Sequence, residues 1–169
     1  MVDMLNGQDC LYHVNLQGLD KGEVVNSLTR IDVISRALNP YHQFDEYMKL
    51  AEQPEMRFVI SNTTEAGIAF DPSCKLDDRP ASSYPGKLTQ LLYRRYQHFD
   101  GDMTKGFIML PCELIFLNGK ELKKCIYQYI DLWELGEGFK TWFEQACGAH
   151  LCQVRQVQHR LLRSLPPHP

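Results

Sequence analysis

The sequence predicts an α/β fold, a mostly parallel sheet whose strands are joined by crossover helices. Two apolar runs and the helical stripes that follow them carry that prediction. The first run lies in Met56–Gly67, MRFVISNTTEAG, where Phe58, Val59 and Ile60 favour a pleated, buried backbone and then stop on the polar residues Ser61 to Glu65. The second, Gly106–Ile115, reads GFIMLPCELI and ends in Cys112-Glu113, with Asn118-Gly119 just beyond. A helical pattern separates the two runs and another follows the second, which gives β-α-β-α. An apolar strand that ends in small polar side chains suits the carboxyl edge of a parallel sheet, where open α/β sheets bind ligands. An ordinary polar turn has the same appearance.

Taken in order, Leu11, Tyr12, Val14 and Leu16 alternate with His13, Asn15 and Gln17, the period of a strand with one buried face. Gly18–Gly22, GLDKG, reads as a turn. Residues 23–38 have no clean period, and Ile31, Val33 and Ile34 suggest the second strand, ended by Asn39-Pro40. These two strands are expected to pair with one another across the turn. Phe44, Tyr47, Met48 and Ala51 fall at helical spacing, and Pro54 closes that helix.

After the 56–61 strand comes a loop at 71–83, rich in Asp, Pro and Ser. Pro85 sits at a first helical turn, where its missing N–H costs nothing. Leu88, Leu91, Leu92, Tyr96 and Phe99 form one apolar stripe, and Arg94, Arg95 and Gln97 lie elsewhere on the wheel as solvated charge and amide. Gly101 breaks this helix and the strand 107–110 follows. Asn118 with Glu121 three residues on resembles a capping box. Leu122, Cys125, Ile126, Tyr129, Ile130 and Trp133 continue that helix as its core face. Gly136 and Gly138 are expected to end it, and Phe139, Trp142, Phe143 and Ala146 to start another.

Composition bounds the function. The chain has 169 residues, is 44% hydrophobic and 23% charged, and carries a net charge of -3, values that suit one ordinary globular domain. That charge argues against a nucleic-acid surface, which needs a clustered basic face. No run approaches the roughly 20 apolar residues of a membrane span. MVDMLNGQDC has neither a basic start nor an apolar stretch, so no secretion signal is read and a cytoplasmic location is expected. The six cysteines, Cys10, Cys74, Cys112, Cys125, Cys147 and Cys152, are scattered without a CxxC pair and read as reduced, mostly buried thiols. Cys147, His150 and Cys152 lack a fourth partner at a known spacing, so no metal is assigned.

Three consecutive segments carry a resemblance. SNTTEAG, RPASSYPGKLTQLLYRRYQHFDG and KGFIMLPCELIFLNGKEL resemble the mannitol dehydrogenase, or long-chain polyol dehydrogenase, family, in the family's order and from about Asn6 to about Cys147. The resemblance implies a partial Rossmann-like domain over 1–147, a truncated N-terminal domain of that family, with 148–169 as a divergent, disordered tail. It implies NAD as cofactor and hydride transfer to or from a carbon of a sugar-acid substrate. Asn62, Thr63, Thr64 and Glu65 match the segment that passes beside the cofactor in the family. Cys112 to Gly119 match the C-D-N-x-x-x-N-G segment of mannitol dehydrogenases, in which an asparagine helps hold the reacting oxygen. Here Glu113 replaces Asp and Leu114 the first Asn, as in uronate-type relatives. Glu113 and Asn118 are therefore the catalytic candidates, with a helix cap as the other reading of Asn118.

The sequence contains no G-x-G-x-x-G turn to cradle a pyrophosphate. The family's lysine, asparagine and histidine belong to a helical domain that has no match in these residues. The expectation is a fragment without activity by itself. The residues from Gly148 on have no acidic side chain but three arginines, three histidines and three prolines. They read as a basic arm, as disordered chain, or as sequence out of the family's frame. Three functions follow: an NAD-dependent oxidoreductase of a sugar acid, a non-enzymatic remnant, and an interaction module that uses the basic tail.

Overall fold

A computed structural model describes residues 1–64 and 66–147. The chain divides into two compact units, Met1–Tyr47 and the residues from Met48 on.

The first unit holds helix α1 (Val2–Asn6) and strands β1 (Tyr12–Asp20) and β2 (Glu23–Ile31). The strands pair antiparallel from Tyr12↔Ile31 to Asp20↔Glu23, as the turn predicted. Only Lys21 and Gly22 make the loop, both at positive φ (51° and 87°), which matches the twist of a two-residue hairpin. That tight loop starts β2 at Glu23, well before the Ile31–Ile34 segment expected to form it. The alternation in β1 was legible, but the ladder it imposes on residues 23–31 was not. Helix α1 precedes the strand that the alternation of residues 11–17 predicts. The Asn6 amide ties α1 to residue 37 through Nδ2 to the Ala37 carbonyl (2.9 Å) and Oδ1 from the Ala37 N–H (3.0 Å).

Helix α2 (Phe44–Lys49) and a 3-10 turn, Leu50–Glu52, lead toward β3 (Phe58–Ser61). β3 lies parallel to β4 (Ile108–Pro111), in register from Phe58↔Ile108 to Ser61↔Pro111. Helix α3 (Tyr84–His98) makes the crossover, and α4 (Asn118–Leu132) follows β4. This is the predicted β-α-β-α core. Ser83 caps α3 by accepting from the Gly86 N–H at 3.0 Å. A Cβ on Gly86 would come within 2.9 Å of both Ala81 and that capping oxygen. Leu88, Leu91 and Leu92 of α3, Leu122, Ile126 and Tyr129 of α4, and Phe107 and Met109 are all buried, and α3 packs against α4.

Arg95 departs from the expectation of a solvated charge. It is 1% exposed. Its guanidinium donates to the carbonyls of Ala51 (3.0 Å), Gln53 (2.9 Å), Met56 (3.0 Å) and Lys105, and Phe107 lies against it at 4.2 Å. Its wheel position alone predicts exposure; the carbonyls that receive it come from the approaches to β3 and β4.

α4 ends at Leu132, and Gly136 (φ 85°) opens α5 (Gly136–Trp142) where it was expected only to close α4. Gly138 lies inside α5, where a Cβ would meet the Tyr96 hydroxyl at 2.6 Å. A π turn, Phe143–Cys147, follows. Among the described residues no helix is long and apolar enough to cross a membrane. Cys10, Cys74, Cys112, Cys125 and Cys147 are free thiols. The reading of 148–169 as a disordered or basic tail lies outside the described residues.

Candidate functional site at the carboxyl edge of the parallel pair

β3 delivers Ser61, then Asn62, Thr63 and Thr64, at its carboxyl end. β4 delivers Cys112 and Glu113 at the same edge, and the Cys112 N–H donates to the Ser61 carbonyl at 2.7 Å, extending the pairing by one step. The two turns are joined side chain to side chain. The Thr63 N–H and Oγ1 both donate to Glu113 Oε1, at 3.3 and 3.4 Å. Asn62 and Thr64 remain exposed, Thr63 is half-buried and Glu113 is buried. Glu65, the fourth residue matched to the cofactor segment, lies outside the described residues.

Asn118 is the first residue of α4, and Leu117, in the left-handed region (φ 54°), holds the N-cap position. The predicted capping box is therefore absent: the Glu121 N–H donates to the Leu117 carbonyl. The Asn118 amide faces back to the turn. Its Nδ2 donates to the carbonyls of Pro111 (2.7 Å) and Glu113 (3.2 Å), and its Oδ1 accepts from the Gly119 N–H (2.8 Å). Asn118 thus fastens the backbone on which Glu113 rides.

Two further residues reach this corner that sequence reasoning did not select. Tyr84 opens α3 and Ser61 closes β3. Ser61 Oγ, Tyr84 OH and Glu113 Oε2 are buried without a hydrogen-bond partner. Burial pushes the Tyr84 phenol up to about 12; the Glu113 charge adds to that, and nearby Ser61 opposes it, although the two hydroxyls do not meet in hydrogen-bond geometry. Ser61 was visible as the first polar residue of SNTTE, and Tyr84 as an aromatic beside the helix-opening Pro85. Nothing in one dimension brought them together.

The loop that carries α3 to this edge is braced from below. Tyr129 OH is 2.7 Å from Ser83 Oγ and accepts from the Asp71 N–H at 3.0 Å, and Ser82 Oγ donates to Asp71 Oδ2 at 2.8 Å. Cys74 Sγ joins at 3.1 Å from Ser82 Oγ. Burial acts to raise the Cys74 thiol, but the surrounding hydroxyls outweigh it and leave the thiol below its usual range. Among the described residues no group of His, Cys, Asp and Glu could hold a metal. His150 and Cys152 lie outside them.

The mannitol dehydrogenase Rossmann domain profile matches residues 1–158. The chain is 79% identical over 157 residues to an altronate oxidoreductase of Phocaeicola vulgatus, covering 93% of the chain and 33% of that relative. It is 48% identical over 145 residues to an altronate oxidoreductase of Bacillus subtilis, covering 86% of the chain and 30% of that relative. The chain spans about a third of the length of these curated relatives. Among solved structures, the Pseudomonas fluorescens mannitol 2-dehydrogenase ternary complex with NAD and D-mannitol shares the fold, with a TM-score of 0.64 and 18% identity over 88% of this chain and 30% of that one.

Proposed function

The chain belongs to the mannitol dehydrogenase family through its Rossmann domain, and from that premise we propose that it serves an NAD-dependent oxidoreductase that interconverts altronate and tagaturonate. The observation that carries the reading is the 79% identity, along 93% of the chain, to a protein named for altronate oxidation. The same reading gives a small sugar acid as the partner molecule, a cytoplasmic setting, and residues 1–147 as the domain that carries the site.

The sheet edge fits one end of a dinucleotide. Exposed Asn62 and Thr64 offer side-chain donors and acceptors beside the strand ends, and buried Glu113 holds Thr63 between them. The described residues contain no glycine-rich pyrophosphate turn, so the fit concerns the end of the cofactor that reacts. When bound, the cofactor would supply the hydride acceptor or donor. Asn62, Thr63 and Thr64 would hold its reacting end, and Glu113 keeps Thr63 in place from the neighbouring strand. Glu113 and Asn118 are the candidates for holding the reacting oxygen. In this structure the polar atoms of Asn118 are engaged with Pro111, Glu113 and Gly119, so its contribution runs through the placement of Glu113. Orientation of this kind supplies a large part of enzymatic rate enhancement.

A chimera tests the reading. Residues 1–147 replace their counterpart in the Phocaeicola vulgatus enzyme, and altronate-dependent reduction of NAD is followed by absorbance. Activity within about tenfold of the parent is expected, with a loss of about 10²-fold or more on Glu113→Ala. A folded chimera without altronate activity would overturn the assignment.

A further inference from the structure

The outer edge of β2 is open. Among the described residues β1 and β2 form a two-stranded sheet with no third strand beside them, and every residue of β2 except Ile31 is exposed. A hairpin of two strands is marginal in water, and further strands with an apolar face are what stabilise it. Lys21 and Gly22, both at positive φ, close the hairpin as a two-residue loop, which makes Asp20 and Glu23 the bonded closing pair. Odd-numbered residues of β2 then bond to β1, and Val24, Asn26, Leu28 and Arg30 turn their N–H and C=O groups outward. Natural edges are protected by a bulge, a proline or an inward charge. This edge has none of these: the ladder runs unbroken from Tyr12↔Ile31 to Asp20↔Glu23, and residues 24–29, VVNSLT, include no charged residue, proline or glycine.

The edge is complementary to itself. When two copies of β2 run antiparallel with Asn26 facing Asn26 across a two-fold axis, Val24 of each copy stands opposite Leu28 of the other. Both pairs lie on the face that holds Leu19, the ladder partner of Val24. Leu19, Val24 and Leu28 are 75%, 83% and 68% exposed, and the pairing gathers them into one apolar row on each side of the axis. Glu23 of each copy meets Thr29 of the other, so the two glutamates stay at opposite ends of the interface. The edge of β1 is the poorer template: its outward residues His13, Asn15, Gln17 and Leu19 include one apolar side chain, and Gly18 lies among them. We propose that a second copy of this chain docks on β2, edge to edge, to give a four-stranded antiparallel sheet. A two-fold pairing of this kind closes on itself instead of growing into a filament. With Leu19, Val24 and Leu28 as the apolar contribution of each copy, it falls short of the roughly 800 Å² per partner of a standard interface, so the dimer is weak and dissociates on dilution. The interface does not depend on the cofactor reading.

Sedimentation velocity of the whole chain across the micromolar range tests this, with amide hydrogen exchange read at both ends of the range. A monomer–dimer equilibrium is expected. Exchange at Val24, Asn26 and Leu28 should slow as the concentration rises, while Val25 and Ser27, already bonded to β1, stay constant. Asn26→Lys sets two ammonium groups against each other on the axis and should weaken the dimer about tenfold. Val24→Glu and Leu28→Lys should each weaken it by a similar factor. Together in one chain they should restore it, because each glutamate then faces the lysine of the other copy. The alternating exchange pattern is read on the parent chain and decides the question even where a variant fails to fold. A parent that stays monomeric, exchange that does not alternate along β2, a dimer that none of the three substitutions weakens, or a folded double variant no better than its singles overturns the proposal.

Discussion

Thr63 and Glu113, separated by 50 positions, meet through two hydrogen bonds to a single carboxylate oxygen. That pair joins the end of β3 to the end of β4 beyond the last ladder bond. Removing the carboxylate in Glu113→Ala frees the Thr63 N–H. Its hydrogen exchange should quicken about tenfold, the equivalent of one modest bond, while the amides of Leu91 and Leu92 in α3 stay as they were. Unchanged exchange at Thr63 would mean that the two turns are held independently.

Arg95 is the most exacting position in the second unit. Its guanidinium serves carbonyls at Ala51, Gln53, Met56 and Lys105, and an ammonium cannot reach all of them. Arg95→Met leaves these carbonyls without their donor, and Arg95→Lys recovers only part of the loss. Urea unfolding should report a decrease of about 3 kcal/mol or more for Arg95→Met, since each stranded buried group costs on the order of 1–3 kcal/mol.

Gly106 precedes β4 and passes directly against the π turn. A Cβ there would land on the Ala146 carbonyl oxygen, well inside contact distance, and the obstacle is backbone. Gly106→Ala should lower stability by about 2 kcal/mol or more, the cost of forcing a packed segment apart. A thermal midpoint equal to that of the parent would show that residues 143–147 yield easily.

The Asp71–Tyr129 brace predicts the pH limits of the loop before α3. Hydrogen bonds from Ser73, then from Ser82, hold the Asp71 carboxyl down to about 2 from 3.8. A depressed acid stabilises the fold above its ordinary value and loses that contribution as the pH falls from about 4 toward 2. Burial pushes the Tyr129 phenol from 10.0 up to about 12, against the pull of Ser83 and the Asp71 backbone. The neutral phenol is favoured in the fold, so its contribution is present below pH 10 and lost between 10 and about 12. Thermal midpoints against pH should show an acid limb flattened by Asp71→Asn and an alkaline limb reduced by Tyr129→Phe.

The core of the fold was legible because burial writes itself as periodicity. Phe58–Ile60 and Phe107–Leu110 announced strands, and Leu88, Leu91 and Leu92 announced the crossover helix. Features that depend on a partner far along the chain were not legible. Arg95 looked like surface charge until the strand approaches supplied its carbonyls, and β2 took its start from a two-residue loop instead of its own apolar content. In the candidate site, Thr63 and Glu113 were found through resemblance. Ser61 and Tyr84 emerged only when folding brought three unpaired polar atoms into one corner.

The placement of Arg95 has a consequence for how this domain tolerates change. The guanidinium clamps the chain where it enters β3 and β4, and the candidate site occupies the opposite, exiting ends of those same short strands. The clamp and the candidate site therefore sit at opposite ends of a four-residue ladder. Substitutions in the candidate site leave the arginine clamp untouched, so their effects on function can be separated from effects on folding.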